Sequence, residues 1–260
     1  MFPIDWFLRL PPYFAGGRFS LPMPQATAVF ASLMALFFSF APLAAQVAKA
    51  EAGKSAVVVR SVHFDPTKLG GQQNPWIRTQ VELRANFNPE TKVAAEPDAA
   101  GKKPANKLWV DKIKVTLTQI FKPIGATAAA DFAYYRSSAT VLTMEVNTDR
   151  SVYFYLPGDV VKRDRLKAQP DYYYVQVEVG GQELPLFTEA GRPVPDMLTA
   201  VHKMFHDKKA YDDARSLADR AVGANSGLLR PQYLVPYSTY DNLPQGSPSP
   251  EFIREDVSSR

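Results

Sequence analysis

From Trp76 to Phe87, apolar and polar side chains alternate without a break. Ile77, Thr79, Val81, Leu83, Ala85 and Phe87 share one face, and Arg78, Gln80, Glu82, Arg84 and Asn86 share the other. A period of two over this length predicts a β-strand buried on one side. Leu108–Lys122 repeats the pattern, with Trp109, Ile113, Val115, Leu117 and Phe121 on one face and Lys112, Lys114, Thr116, Thr118 and Lys122 on the other. Asp111 interrupts the apolar face and marks a candidate bulge. Between these segments Asn88–Lys107 is polar and aperiodic, which reads as a mobile excursion between antiparallel neighbours.

Shorter runs extend the β pattern. Ala56–Phe64 is rich in β-branched residues and runs into a loop of turn formers, Asp65–Pro75. Further strands are predicted over Thr140–Val146, Ser151–Leu156 and Tyr172–Val179. Asn147-Thr148-Asp149-Arg150 reads as a tight hairpin, and Gly180-Gly181 as another returning through Gln182–Phe187. Pro157-Gly158-Asp159 predicts a short helix reaching Lys167. Beyond Pro195 the period changes: Met197, Leu198, Val201, Met204 and Phe205 recur at helical spacing, and Tyr211–Val222 forms a second helical pattern. The prolines at 231, 236, 244, 248 and 250 forbid a long regular element near the end.

Together these patterns predict a mainly β chain, an immunoglobulin-like antiparallel β-sandwich with C-terminal helices and an extended tail. A barrel is the competing closure. The expected organisation is a signal peptide or signal-anchor (1–45), a flexible lead-in (46–55), the β-sandwich (56–190), a helical extension (191–228) and a Pro-rich tail (229–260).

The N-terminal segment supplies the expected location. Phe19–Ala48 carries no charged side chain, and its apolar core, Ala26–Ala45, is about the twenty residues that cross a bilayer as a helix. Arg9 and Arg18 precede it. Pro42 can break the helix and leave Leu43-Ala44-Ala45 for a signal peptidase cutting before Gln46. Ala48-Lys49-Ala50 offers a second site, and the long N-terminal region with Asp5, Phe2, Trp6 and Phe7 keeps an uncleaved anchor open. Either outcome exports the body to a periplasm or cell surface, with membrane contact confined to residues 19–48. The chain has no cysteine, which excludes a lipidated terminus, disulfides and Cys-based metal sites. An exported domain of this size then relies on its hydrophobic core.

Charge adds little. The net charge is +4, and residues 1–45, with Arg9, Arg18 and Asp5, account for one unit of it. Basic and acidic residues are interspersed; the longest basic cluster, Lys162–Lys167, is broken by Asp164. No basic stripe with interleaved aromatics appears, so no nucleic-acid partner is expected.

His202 and His206 stand four apart on the predicted helix, a spacing that can place two imidazoles on one metal. Lys203 occupies the place where a zincin carries Glu, and His63 lies on a distant strand, so surface histidines are the expectation. There is no Gly-x-Ser-x-Gly elbow and no phosphate-cradling glycine loop. A non-enzyme with no cofactor and no metal is therefore expected. The tyrosines offer more: seven of the twelve lie between Tyr134 and Tyr174. Alternation turns Tyr153 and Tyr155 outward on one strand and Tyr172 and Tyr174 outward on another. If these strands pair, the four form a contact surface for protein or glycan. The competing expectation is packing beneath the C-terminal helices or tail.

The apolar N-terminal segment followed by Val57–Phe64, Trp76–Phe87 and Leu108–Phe121 resembles the immunoglobulin-like envelope proteins associated with type IV pilus genes in verrucomicrobia. The resemblance implies a non-enzyme of the periplasm or surface that assists pilus assembly or attachment, with envelope or pilus-assembly proteins as partners. A carbohydrate-binding module using the tyrosines is the alternative function, and a metal-dependent hydrolase using His202 and His206 a more distant one.

Overall fold

The computed structural model describes residues 54–69, 73–93, 106–235 and 248–254, all within one unit, Ala45–Arg260. The N-terminal apolar segment lies outside the described residues. Among those described, no helix is long and apolar enough to cross a membrane.

The alternating segments form two antiparallel sheets. One holds β1 (Val57–Thr67), β2 (Trp76–Ala85), β5 (Asp149–Leu156) and β8 (Arg230–Pro231), in the order β1-β2-β5-β8. The other holds β3 (Trp109–Phe121), β4 (Ala133–Glu145), β6 (Tyr172–Val179), β7 (Gln182–Glu183) and β9 (Phe252–Ile253), in the order β7-β6-β3-β4-β9. Helices α1 (Glu90–Val93), α2 (Gly158–Arg163) and α3 (Lys208–Ala221) and several short 3-10 turns connect the strands or follow them.

The sheets pack face to face as a β-sandwich through the residues that the alternation points inward. Ile77, Val81, Leu83, Val152, Phe154 and Leu156 meet Ile113, Val115, Leu117, Val141, Val175 and Val177, all essentially buried. Each such side chain contributes about 1.5–3 kcal/mol, which suits a chain with no disulfide. One polar pair sits among them: Gln119 Nε2 donates to Thr79 Oγ1 at 2.6 Å, while Gln119 Oε1 is buried with no hydrogen-bond partner among the described residues.

Several predicted details differ. β4 begins at Ala133 rather than Thr140, because its first residues pair with the far end of β3, Phe121 with Ala133 and Gln119 with Tyr135. Residues 147–150 do not close a hairpin. The Val146 N–H bonds Leu108 O, while the Asn147 N–H bonds Ala85 O in the other sheet, so the chain crosses between sheets. Asn147 makes the corner at φ 64°, a conformation asparagine tolerates. Asp111 causes no shift of register; the irregularity is carried by Lys112, at φ 53°. The bulge falls instead on β1, between Val59 and Ser61.

The ends of the polar excursion are pinned by one side chain. Asn88 is buried, and its amide donates to Asn106 O at 2.9 Å and Trp109 O at 2.6 Å, while its oxygen accepts the Glu90 N–H at 2.9 Å. Residues 94–105 lie outside the described part.

The first predicted C-terminal helix does not form as such. Pro195–Ala200 is a 3-10 turn, and Val201 is extended, bridging to Tyr174. The His202 N–H then bonds Tyr173 O at 2.9 Å. Pairing with the edge of β6 outweighs helical periodicity over this short segment. The second helix does form, as α3, with the Asp207 carboxylate capping it by accepting the Ala210 N–H at 2.8 Å.

Candidate interaction surface

The four outward tyrosines take the faces that alternation assigns them, but β5 and β6 belong to different sheets. Tyr153 and Tyr155 therefore lie on one outer face of the sandwich, and Tyr172 and Tyr174 on the opposite one. The sequence expectation of one four-tyrosine patch required those strands to pair, and they do not.

Each pair is also roofed. Tyr153 and Tyr155 are 1% exposed and cluster with Leu69, Trp76 and Val235. Tyr174 has no exposed surface; its ring packs edge-on against Tyr211 of α3 at 5.2 Å and near Phe205 at 6.3 Å. Its hydroxyl accepts from Arg136 Nη2 at 2.7 Å. Tyr172 is half-buried, stacked on Phe132 at 6.2 Å and edge-on to His202 at 5.6 Å. Only Tyr172 keeps an appreciable share of its surface.

His202 and His206 do not share a helical face, since α3 starts only at Lys208. Among the described residues no group of three or more metal-ligating side chains converges. The structure instead brings His202 near His63, which sequence separation had placed far off: both line one cleft. No local signal links them, because the shared cleft depends on Val201 and His202 pairing with β6.

β1 is an edge strand, and two hollows flank it. The larger, about 780 Å³, lies where the 195–200 turn covers the start of the strand. There the Asp196 carboxylate accepts the Ser55 N–H at 3.3 Å, and the Thr199 hydroxyl donates to Val59 O. These side chains occupy main-chain groups that an edge would otherwise present to another strand. The hollow is rimmed by Lys54, Arg60 and Arg84, with Asp196 opposing them and Arg84 also 3.5 Å from Asp149. Arg60 is the extra residue of the β1 bulge and is exposed; Leu198 beside it is 56% exposed. A bulge on an edge strand re-aims one side chain, here a guanidinium, into the opening.

The smaller hollow, about 340 Å³, lies between the second half of β1 and β6. It is lined by Val62, His63, Phe64, Asp65, Gln169, Pro170, Tyr173 and His202. Phe64 and Tyr173 touch with ring centroids 5.2 Å apart. Burial, assisted by the Lys203 charge, holds the His202 imidazole below its ordinary pKa against the opposing pull of Asp171. Burial likewise raises the Tyr173 phenol. At neutral pH both are uncharged.

No protein-family model matches the chain, and no curated protein is similar to it. Three chains among solved structures are similar. One, a crystal structure from the verrucomicrobium Akkermansia muciniphila, shares 12% identity, covers 77% of this chain and 94% of its own, and superposes with a TM-score of 0.44.

Proposed function

We propose that the chain is an exported, non-enzymatic binding module of a bacterial cell envelope, acting through the β1 flank of its sandwich. The observation that carries this reading is the larger hollow: a bulged edge strand aims Arg60 into an opening that also exposes Leu198 and is rimmed by Lys54 and Arg84. An apolar contact ringed by cations suits a protein partner with acidic side chains around an apolar centre. The strand order, β1-β2-β5 against β7-β6-β3-β4, corresponds to A-B-E against G-F-C-C′ and supports the immunoglobulin-like reading. The uncharged Phe19–Ala48 segment supports export to the periplasm or surface. The resemblance to verrucomicrobial envelope proteins makes type IV pilus assembly or surface attachment the proposed setting.

The test is photo-crosslinking in the native envelope, with the reactive residue placed at Arg60, at Leu198, or at Ile124, a 92% exposed position outside both hollows. Capture of pilus-machinery subunits from Arg60 and Leu198, but not from Ile124, is expected. Capture of other envelope proteins would sink the pilus setting, and capture of nothing would sink the binding role. A second reading, carbohydrate recognition, is favoured by the histidine-lined hollow rather than by the four tyrosines.

A further inference from the structure

The smaller hollow gathers polar groups whose bonding capacity the fold leaves unused. The side chains of His63 and Gln169 have no hydrogen-bond partner among the described residues. Asp65 forms an ion pair with Arg78 at 3.8 Å, a separation too long for a hydrogen bond, and its half-exposed carboxylate keeps its hydrogen-bonding capacity. His202 is braced edge-on by Tyr172 and Tyr173, at 5.6 and 5.7 Å. Its Nδ1 accepts the Met204 N–H at 3.4 Å, which leaves the ring proton on Nε2 as a donor.

The chemistry of this lining selects among ligands. An anion calls for cations, and the lining has none while carrying Asp65. A bound metal calls for convergent ligands, and among the described residues no group of three or more exists. A purely apolar ligand would strand the carboxylate, the amide and the imidazoles without partners. A neutral polyol fits: each hydroxyl both donates and accepts, matching an amide, a carboxylate and two imidazoles, while its C–H face packs on Phe64 and Tyr173. The volume falls within the range of small-molecule sites.

We propose that this hollow binds a neutral sugar unit of a glycan, with His63, Asp65, Gln169 and His202 bonding its hydroxyls and Tyr173 carrying its apolar face. This deepens the carbohydrate reading and does not depend on the Arg60 flank or on pilus proteins. The two fail separately, since Arg60 and Leu198 line only the other hollow and Ile124 lines neither.

The chain has three histidines, and His206 lies outside the hollow, so the protein carries its own control. The full-length chain, histidine-labelled and held in a sugar-free zwitterionic detergent, is titrated with cellotriose, chitotriose and mannotriose, and separately with sodium sulfate. The imidazole NMR signals are followed. Saturable movement of His63 and His202 with at least one trisaccharide is expected, with His206 still and sulfate without effect. A Gln169→Ala variant with unchanged thermal midpoint is expected to bind about tenfold more weakly, the loss of roughly one hydrogen bond. No saturable shift with any of the three sugars, an equal response to sulfate, parallel movement of His206, or unchanged affinity in Gln169→Ala would each overturn the assignment.

Discussion

The side-chain oxygen of Gln232 accepts the backbone N–H of Tyr153 at 3.1 Å, so a residue 79 positions downstream serves as hydrogen-bond partner to β5. Its amide nitrogen donates to Ser249 Oγ at 2.5 Å. One buried glutamine thus joins the side of β5 that faces away from β2 in the first sheet to both described parts of the tail. Replacing Gln232 with Leu is expected to leave the Tyr153 N–H buried without an acceptor, costing about 1–3 kcal/mol. At roughly 2–4 °C per kcal/mol for a chain of this size, calorimetry resolves the change. Amide exchange at Tyr153 should accelerate with it, and unchanged protection there would remove Gln232 from this role.

That bond also explains what the sequence could and could not reveal. Strand alternation is local, so the inward and outward positions of β2, β5 and β6 were legible residue by residue. Which strands pair is a global property. Asn147–Arg150 has the composition of a hairpin, yet the Asn147 N–H is taken by Ala85 of the other sheet, and this alone moves Tyr153 and Tyr174 to opposite faces. The cover over them was equally hidden, because Gln232 and Val235 sit in proline-rich sequence with no period to read. His63 and His202 were seen as individual histidines, but their shared hollow depends on Val201 bridging to Tyr174, a contact that outcompetes the helical pattern around it.

Arg136 fastens α3 to the second sheet. Its Nε donates to Thr118 Oγ1 at 2.9 Å, one terminal nitrogen to the Tyr174 hydroxyl at 2.7 Å, and the other to Asp219 at 2.5 Å. A lysine has no planar fork to reach three partners in different directions. Arg136→Lys is expected to lose about 1–3 kcal/mol and to loosen α3 first. Hydrogen exchange should rise along Lys208–Ala221 while β2 and β3 stay protected; uniform acceleration would argue against a local fastening.

Acid sensitivity should concentrate at Asp164. Arg163 grips its carboxylate with two bonds of 2.7 Å, and the Tyr135 hydroxyl adds a third, which together outweigh burial and hold the carboxyl below its ordinary pKa. With the folded value depressed, the stabilisation is complete above the unfolded value of about 3.9 and is lost as pH falls through the folded one. The midpoint gap between the parent chain and Asp164→Asn is therefore expected to be constant from pH 7 to about pH 5 and to narrow at lower pH. A gap that stays constant down to pH 2 would show that the charge on Asp164 contributes nothing.

Gly158 opens α2 directly against the backbone of the loop between β1 and β2. A Cβ placed there would lie 2.3 Å from Asn74 O and 2.7 Å from Asn74 C. Both are main-chain atoms, so no rotamer change relieves the overlap, and the helix must move away from the loop. The same junction is held by Asn74 Nδ2 donating to Asp159 at 2.7 Å, a bond that such a movement would stretch. Gly158→Ala is expected to destabilise by about 1–3 kcal/mol, the usual range for overpacking. Asn74→Ala in the same background should not restore stability, because the obstructing atoms remain. Recovery in that double variant would mean that the asparagine side chain, rather than the backbone, sets the need for glycine.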